Sequence, residues 1–365
     1  MSGPRVLHVV QLLQSGGAEV MVRGLTAGLG AAGVDVGIVS IYPDGLDDET
    51  RATLGVPIFA VGRSGRFDVA FFPRLLGILR AERPAIVHAH LHAGKYAGRL
   101  AAVLAGVPNV VFTEHGDKLT GPVNRIANRF LHARTARFVV FTPDQRDRFS
   151  AREGVPVERI SVIPNGVAAP AGDRAALRAS LGLAPDTFAV YLPARLAEEK
   201  NHLLALRGFA GARQAGFEAV LVLAGSGPAE ATLRNEAESL GLGAHVRFLG
   251  FRPDAARLCV AMDAFALPSL WEHMPLALGE GMRAGLPVVT TPWTGVADFV
   301  SDGETGFVAA DFSPAAFAAA LLRLRDEAVR RAVAIRGKAF ADVRFDPERT
   351  VREHVALYAS LTGPR

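Results

Sequence analysis

The chain of 365 residues has a single cysteine, Cys259. A disulfide framework within the chain is therefore excluded, as is a cysteine-based metal cluster, and a reducing cytosol fits. No stretch reaches the roughly 18 consecutive apolar residues that a bilayer span requires. The apolar run Val6–Val10 is too short for a signal-peptide core and leads into a Gly-rich turn. The expectation is a cytoplasmic protein, at most peripheral on the cytosolic membrane face. Long polar tracts are missing too. Half the residues are hydrophobic and 21% are charged, so a full interior can be built and extended disorder is not expected. Lysine is scarce, with four among 40 basic residues.

The length is natural for two domains. Short apolar runs at 6–10, 34–41, 85–88, 109–113 and 138–142 read as strands, and a sixth closes the set near 160–163. Between them lie helical patterns at 19–31, 69–82 and 93–105. The pattern restarts after residue 170, with strands at 188–192, 219–224, 245–248, 264–267 and 287–290 and helices at 201–214, 229–240 and 275–284. Alternating strand and helix predicts parallel sheets, hence an α/β fold of two Rossmann-like domains. The turn Pro164-Asn165-Gly166 and the Ala-, Pro- and Gly-rich stretch after it read as a linker. The expected domains are 1–168 and 169–345. A C-terminal helix at 346–365, beyond a break at Phe345-Asp346-Pro347, is expected to pack back toward the first. Ligands of open parallel sheets bind at the carboxyl ends of the strands, so a cleft between the domains is the expected active site.

The net charge of +4 is uneven. Residues 1–168 hold 19 Lys and Arg against 14 Asp and Glu, an excess of five, and the remainder holds 21 against 22. Two helical stretches concentrate it. Arg63, Arg66, Arg74, Arg80 and Arg83 lie beside Phe67, Phe71, Phe72, Leu75, Leu76 and Ile78. In the second stretch, from Lys118 to Arg137, Arg125, Arg129, Arg134 and Arg137 lie beside Ile126, Phe130 and Leu131. Such a pattern suits an anionic membrane surface or a lipid-phosphate acceptor, and equally a helix whose apolar face packs on a sheet. Nucleic-acid binding is not expected, because few aromatics accompany the basic bias.

Several loops carry chemistry. Ser15-Gly16-Gly17-Ala18-Glu19 follows the first strand, where paired glycines let backbone approach a ligand and the next helix offers N–H groups to an anion. Gly225-Ser226-Gly227-Pro228 follows a strand of the second half. It resembles the start of a dinucleotide fingerprint, but Glu230 occupies the third glycine position, so Gly225 and Gly227 are read as lining a nucleotide pocket, with a plain structural turn as the alternative. Arg195 and Lys200, five residues apart before a helix, could clamp a diphosphate; a surface salt-bridge loop with Glu198 and Glu199 is the plainer alternative. In the segment Ser269 to Glu280, Glu272 stands in a loop, Pro275 suits a first helical turn, and Glu280 falls in the second. Carboxylates there suit sugar hydroxyls and a ribose diol, and N–H groups near Met274 and Leu276 suit anionic or hydroxyl oxygens. His115 ends a strand. His88, His90 and His92 alternate as if on one strand face, but with no nearby carboxylate or cysteine they are not expected to bind metal.

Taken together, these residues resemble the retaining glycosyltransferases of family four, the group 1 glycosyl transferases with the GT-B fold. The resemblance rests on Gly16-Gly17-Ala18-Glu19, Thr113-Glu114-His115-Gly116, Val162 to Val167, Arg195 with Glu199-Lys200-Asn201, Gly225-Ser226-Gly227-Pro228, Phe248-Leu249-Gly250, Glu272 with Glu280, Gly285 to Val289, and Asp302 to Phe307. It implies a hexosyltransferase that takes a sugar from a nucleotide-diphosphate donor and gives it to a saccharide or lipid-linked acceptor, with retention of anomeric configuration. Polysaccharide, glycolipid or glycoconjugate synthesis is the implied setting. It further implies that Arg195 and Lys200 neutralise the diphosphate and Glu280 takes the ribose hydroxyls. Glu272, Met274, Pro275 and Leu276 hold the sugar, His115 reaches it, and the Gly16-Gly17 loop approaches the phosphate and the acceptor. No metal or bound cofactor is implied, since the basic pair does a metal's work on the leaving group. The implied chemistry is front-face attack, in which the leaving phosphate helps take the acceptor proton. His273 stands where the family commonly has glycine, and Gly279 where a larger apolar residue is usual. Other readings are a nucleotide-sugar epimerase or hydrolase on the same fold, a non-catalytic nucleotide-sugar-binding protein, or a nicotinamide oxidoreductase, for which neither glycine loop has the full fingerprint.

Overall fold

The structure is a computed structural model that describes residues 4–13, 16–65, 67–116 and 122–363, with side chains except at 122–127. Ser15, Arg66 and Lys118 lie outside the described residues, as do the side chains of Arg125 and Ile126. The chain divides into two compact units, Met1–Gly166 with Asp346–Arg365, and Val167–Phe345.

Among the described residues the first unit holds a seven-stranded parallel sheet. Its strands are β1 (Val6–Val10), β2 (Val36–Ser40), β3 (Ile58–Ala60), β4 (Ile86–His90), β5 (Asn109–Thr113), β6 (Arg137–Val140) and β7 (Ile160–Val162), in the order β3-β2-β1-β4-β5-β6-β7. Every residue of β1, β2, β4 and β5 is buried, as expected of strands covered on both faces. The second unit repeats the design with six described strands: β8 (Ala189–Pro193), β9 (Val220–Ala224), β10 (Val246–Phe248), β11 (Ala264–Leu267), β12 (Val288–Thr290) and β13 (Phe307–Val308), in the order β10-β9-β8-β11-β12-β13. In each sheet the order reverses once, between β1 and β4 and between β8 and β11. Loops at such switch points are where open α/β sheets bind ligands.

Two strands escaped the sequence reading. Three-residue β3 and two-residue β13 are too short for alternation to mark them. The helical pattern at 93–105 is also not one α-helix. It runs as Leu91–Ala93, a π-helical turn at Gly94–Gly98, and Arg99–Leu104. Gly94 is needed for that turn to lie on the sheet, because a Cβ there would stand 2.9 Å from the Val9 carbonyl oxygen.

The break at Phe345-Asp346-Pro347 has a local cause. Asp346 accepts from the N–H groups of Glu348 (2.9 Å) and Arg349 (3.1 Å), and Pro347 starts the helix Pro347–Thr362 without an N–H to satisfy. That helix belongs to the first unit, where it packs on Gly17–Ala31. Among the described residues no helix is long and apolar enough to cross a membrane.

Gly279 lies in the helix Leu276–Arg283, and a Cβ at this position would stand 2.8 Å from the Phe345 ring. The fully buried ring fills the space a larger side chain would take. Propensity alone makes Gly279→Ala stabilising by about 1 kcal/mol. Because the ring cannot yield in a packed core, the variant is expected to lose about 1–3 kcal/mol instead. Urea denaturation of the two proteins decides the sign.

Candidate functional site

In the second unit the loops after β8, β9 and β10 are joined through their backbones. Ala194 N–H donates to the Ala224 carbonyl (3.0 Å), Leu196 N–H to Ser226 (3.0 Å), and Gly225 N–H to Gly250 (2.7 Å). A Cβ on Gly225 would stand 2.0 Å from the Ala194 carbonyl oxygen, and one on Gly227 2.3 Å from that of Leu196. The two glycines expected to line a nucleotide pocket thus have a firm structural role, since they let the Gly225–Gly227 loop press against the backbone that carries Arg195.

Beyond Leu196 the chain makes a short 3₁₀ turn, Glu198–Lys200, and then a left-handed residue, Asn201 (φ 51°). Asparagine tolerates that conformation, which starts the helix His202–Gln214. Leu270 N–H donates to the Glu199 carbonyl (2.9 Å), tying this loop to the one after β11. Across that tie Lys200 Nζ donates to Glu272 Oε1 at 2.7 Å, and Ser269 Oγ donates to the same oxygen at 2.6 Å. Arg195 pairs with Glu199 and keeps its side chain 65% exposed. The switch point of the second sheet therefore gathers Arg195, Lys200 and Glu272. The expected pairing of the basic residues with Glu198 and Glu199 holds for Arg195 only.

Met274 and Pro275 are buried, and Pro275 is the N-cap of the helix Leu276–Arg283 rather than a residue of its first turn. Among the described residues no side chain caps this helix, so its first N–H groups, beginning with Leu276, present a partial positive charge. Glu280 lies one turn on. Burial pushes its carboxyl up to about 7, and among the described residues no hydrogen bond reaches it. Burial, with Glu280 nearby, also pushes the Cys259 thiol up, so this cysteine is an inert core residue.

In the first unit, Gly16 precedes the helix Gly17–Ala31 with φ 137°, and a Cβ there would stand 2.2 Å from Glu19 Oε2. The Glu19 carboxylate folds back over this glycine. His115 follows β5 and is half-buried. The residues beside it hold the turn: Glu114 Oε2 accepts from Lys95 Nζ at 3.0 Å, and Glu114 Oε1 accepts from Gly116 N–H at 3.2 Å. The Lys95–Glu114 pair is buried and was not foreseen; the rarity of lysine was its one sequence signal.

The histidine cluster differs from the sequence expectation. β4 ends at His90, so alternation stops there, and His92 is exposed with its ring edge-on to Tyr96. The third member is His8, which stands opposite His88 across β1 and β4. His8, His88 and His90 are fully buried, with one ring nitrogen from each inside a 4.8 Å circle. Burial, then neighbouring histidines, hold all three well below the ordinary imidazole range, His8 at about 3.

Two family matches cover most of the chain. Residues 15–169 match the family described as Glycosyltransferase Family 4, and residues 173–339 match Glycosyl transferases group 1. The chain is 30% identical over 303 residues to a putative glycosyltransferase, EpsF, of Bacillus subtilis, covering 79% of each chain. It is 33% identical over 305 residues to the UDP-Gal:alpha-D-GlcNAc-diphosphoundecaprenol alpha-1,3-galactosyltransferase of Escherichia coli, covering 78% of each. The solved structure of Anabaena HepE in complex with UDP and glucose superposes with a TM-score of 0.83 at 21% identity, over 98% of this chain and all of that one. At that identity the likeness speaks for the fold, GT-B.

The raised Glu280 carboxyl has a consequence for the ligand-free protein. A buried acid whose pKa is raised on folding stabilises the fold below its unfolded value near 4.5. That contribution is lost as pH climbs through about 7. Glu280→Gln stays neutral throughout. The variant's stability relative to wild type is expected to rise between these two pH values by about 3 kcal/mol and then level off. Denaturant midpoints measured from pH 4 to 9 test this, and a flat difference excludes it.

Proposed function

This chain belongs to glycosyltransferase family 4, and we propose that it moves a sugar from a nucleotide-diphosphate donor to a saccharide or lipid-linked acceptor with retention of anomeric configuration. The observation that carries this reading is the Lys200–Glu272 pair at 2.7 Å, at the switch point of the second sheet, with Arg195 beside it on a loop braced by Gly225 and Gly227. Two cations and a carboxylate at one strand end suit a ligand that is anionic at one end and rich in hydroxyls at the other.

In this proposal Arg195 and Lys200 take the diphosphate, and Glu280 takes the ribose diol. Glu272 accepts from the sugar hydroxyls beside the N–H groups of Met274 and Leu276. His115 is the first unit's contact to the donor sugar, and the Gly16-Gly17 turn approaches its phosphate. The bond from the anomeric carbon to the phosphate oxygen breaks while the acceptor oxygen attacks on the same face. The acceptor proton goes to the leaving phosphate, whose developing charge the two cations stabilise. The site needs no metal or bound cofactor for this step, because the basic pair supplies the positive charge.

The roles separate in binding experiments. Lys200→Ala removes a charge-assisted contact worth about 1.5–3 kcal/mol, so affinity for the free nucleoside diphosphate is expected to fall about 10- to 100-fold. Glu280→Gln is expected to weaken the same binding. Glu272→Gln is expected to spare it and to lower turnover with the complete donor. Calorimetry with nucleoside diphosphates, beside a screen of nucleotide sugars for release of nucleoside diphosphate, tests the assignment. Equal losses in both glutamate variants would falsify the division of roles.

The acceptor reading has its own observations. The apolar faces of the basic stretches largely pack inward. Leu75, Leu79 and Leu131 are buried, and Phe71, Phe72 and Ile78 pack against the core. Arg74 bonds to the Val61 carbonyl and to Asp68. Left outside are Phe67, 89% exposed, Val69, 82% exposed, and half-exposed Phe130 with the Arg134 guanidinium over its ring. These residues suit an anionic lipid surface and, with it, a lipid-linked acceptor. Sedimentation with anionic vesicles is expected to bring the protein down at low salt and to release it near physiological strength, where screening sets in at about 8 Å. Equal recovery from anionic and neutral vesicles at low salt removes the membrane reading.

A further inference from the structure

The buried histidines of the first unit form one continuous chain of hydrogen bonds that ends at His115. Its links are Thr113 Oγ1 to His88 Nε2 (2.7 Å), His88 Nδ1 to Tyr358 OH (2.7 Å) and Tyr358 OH to His8 Nε2 (3.3 Å). It continues from His8 Nδ1 to His90 Nε2 (2.9 Å) and from His90 Nδ1 to His115 Nε2 (3.3 Å). Both nitrogens of His8, His88 and His90 are used in it. A neutral imidazole has one N–H and one lone pair, and each hydroxyl has one proton to donate. Every proton of the chain finds a partner within it in two orders only, all pointing toward His115 or all pointing away; a third order, in which Tyr358 accepts from both His88 and His8, leaves the buried Tyr358 proton outside the chain. A reversal at any of the rings leaves two donors, or two lone pairs, facing each other, and a reversal at Tyr358 takes its hydroxyl proton out of the chain in a dry interior.

We propose that His90, His8 and Tyr358 are positioning residues for His115, a chain that decides which nitrogen of its ring carries the proton. With protons pointing toward it, His115 accepts at Nε2 and carries its proton on Nδ1, which is then a donor. With protons pointing away, His115 donates from Nε2 and offers a lone pair at Nδ1. The ring is thereby set as donor or acceptor by groups that do not touch a ligand, and the assignment is made cooperatively.

Three further observations fit this role. His8, His88 and His90 stay neutral, because burial disfavours the charged form, and a neutral chain is what a fixed proton order needs. His354, in ring contact with both His88 and Tyr358, is itself fixed: its Nδ1 donates to the Thr350 carbonyl at 2.8 Å. Directly after His90 the backbone enters the left-handed region at Leu91, φ 57°, a conformation that costs a leucine about 1 kcal/mol or more. That turn ends β4 with the His90 ring between His8 and His115. A metal ion is the other use for three clustered imidazoles, but their nitrogens are already spent on one another, on Tyr358, on Thr113 and on His115, and among the described residues no carboxylate joins the group of three.

The proposal rests on the reading of His115 as a donor contact only for its effect on turnover; the proton order is read without substrate. The experiment uses the full-length protein with 15N-labelled histidine. The ring signals of His115 are assigned by their loss in His115→Gln. Wild type is expected to show one tautomer at His115. Tyr358→Phe breaks the chain at its middle, and His90→Gln keeps an amide near the place of Nε2 but removes the partner of His115. Both are expected to give a mixture of tautomers. His90→Asn keeps an amide near the place of Nδ1, but cut off from His8 it can turn either its oxygen or its NH2 to His115, so it too is expected to give a mixture of tautomers. Turnover in Tyr358→Phe and His90→Gln is expected to fall about tenfold with the donor KM little changed, the low end for removing a partner that orients a working imidazole. If Tyr358→Phe does not fold, the two His90 variants carry the test. An unchanged His115 tautomer in His90→Gln overturns the proposal. So does one zinc per chain that survives gel filtration and is lost in His8→Gln. A changed tautomer with unchanged turnover upholds the chain and overturns instead the reading of His115 as a donor contact.

Discussion

The second unit's site depends on a contact between backbones. The loop after β9 can lie against the loop after β8 only because Gly225 and Gly227 have no side chain; a Cβ on either would fall inside the Ala194 or Leu196 carbonyl. With the two loops laced by the Leu196-to-Ser226 and Ala194-to-Ala224 bonds, Arg195 leaves the sheet at a fixed height. The chain must then turn through Glu198–Lys200 to reach the helix His202–Gln214, which sets Lys200 against Glu272. A phosphate-binding reading of these glycines and a packing reading of them are not rivals. The close packing is what places the cations.

The charges of this site are balanced before any ligand arrives. Arg195 is paired with Glu199 and Lys200 with Glu272, so neither cation is left beside uncompensated positive neighbours. In the proposed function a diphosphate competes with those carboxylates, and the exchange is cheap where the pair is wet and costly where it is dry. Arg195 is largely exposed, whereas the Glu272 side chain is 8% exposed. The guanidinium can therefore change partner readily. The Lys200–Glu272 contact is costlier to open, and a ligand that also supplies hydroxyls to the carboxylate opens it more easily than one that does not. That coupling favours a molecule carrying both diphosphate and sugar over inorganic anions.

Much of this was legible in the order of residues, and the failures have physical reasons. The long buried strands announced themselves by unbroken apolar runs, and the break at Asp346-Pro347 by its capping chemistry. β3 and β13 did not, because two or three residues carry no periodicity. His88 and His90 were noticed, but His92 was grouped with them by extending the strand one step too far. The true third member, His8, lies 80 residues earlier and is brought in by parallel pairing of β1 with β4, which no local pattern encodes. Tyr358, 270 residues from His88, was still further out of reach. Gly279 read as a flaw in a helix because its cause, the ring of Phe345, belongs to a different stretch of chain.

The two sheets share one winding, yet their switch points are furnished in opposite ways. Between β8 and β11 stand full charges, Arg195 exposed and Lys200 paired with the nearly buried Glu272 carboxylate. Between β1 and β4 stand neutral imidazoles that are wholly buried. Burial forces this choice: a cation in the first location would need a counter-ion, as Lys95 has in Glu114, whereas an imidazole needs only a donor and an acceptor. A charged switch point attracts an anion and holds it. A neutral, hydrogen-bonded one has little pull on an anion but can define the direction of a proton to within one ring nitrogen. The first suits the recognition of a diphosphate, and the second suits the orientation of a group that must meet a sugar hydroxyl as donor or acceptor and not as both. Shared topology thus yields different chemistry, set by how dry each strand end is and by which side chains can remain there without charge.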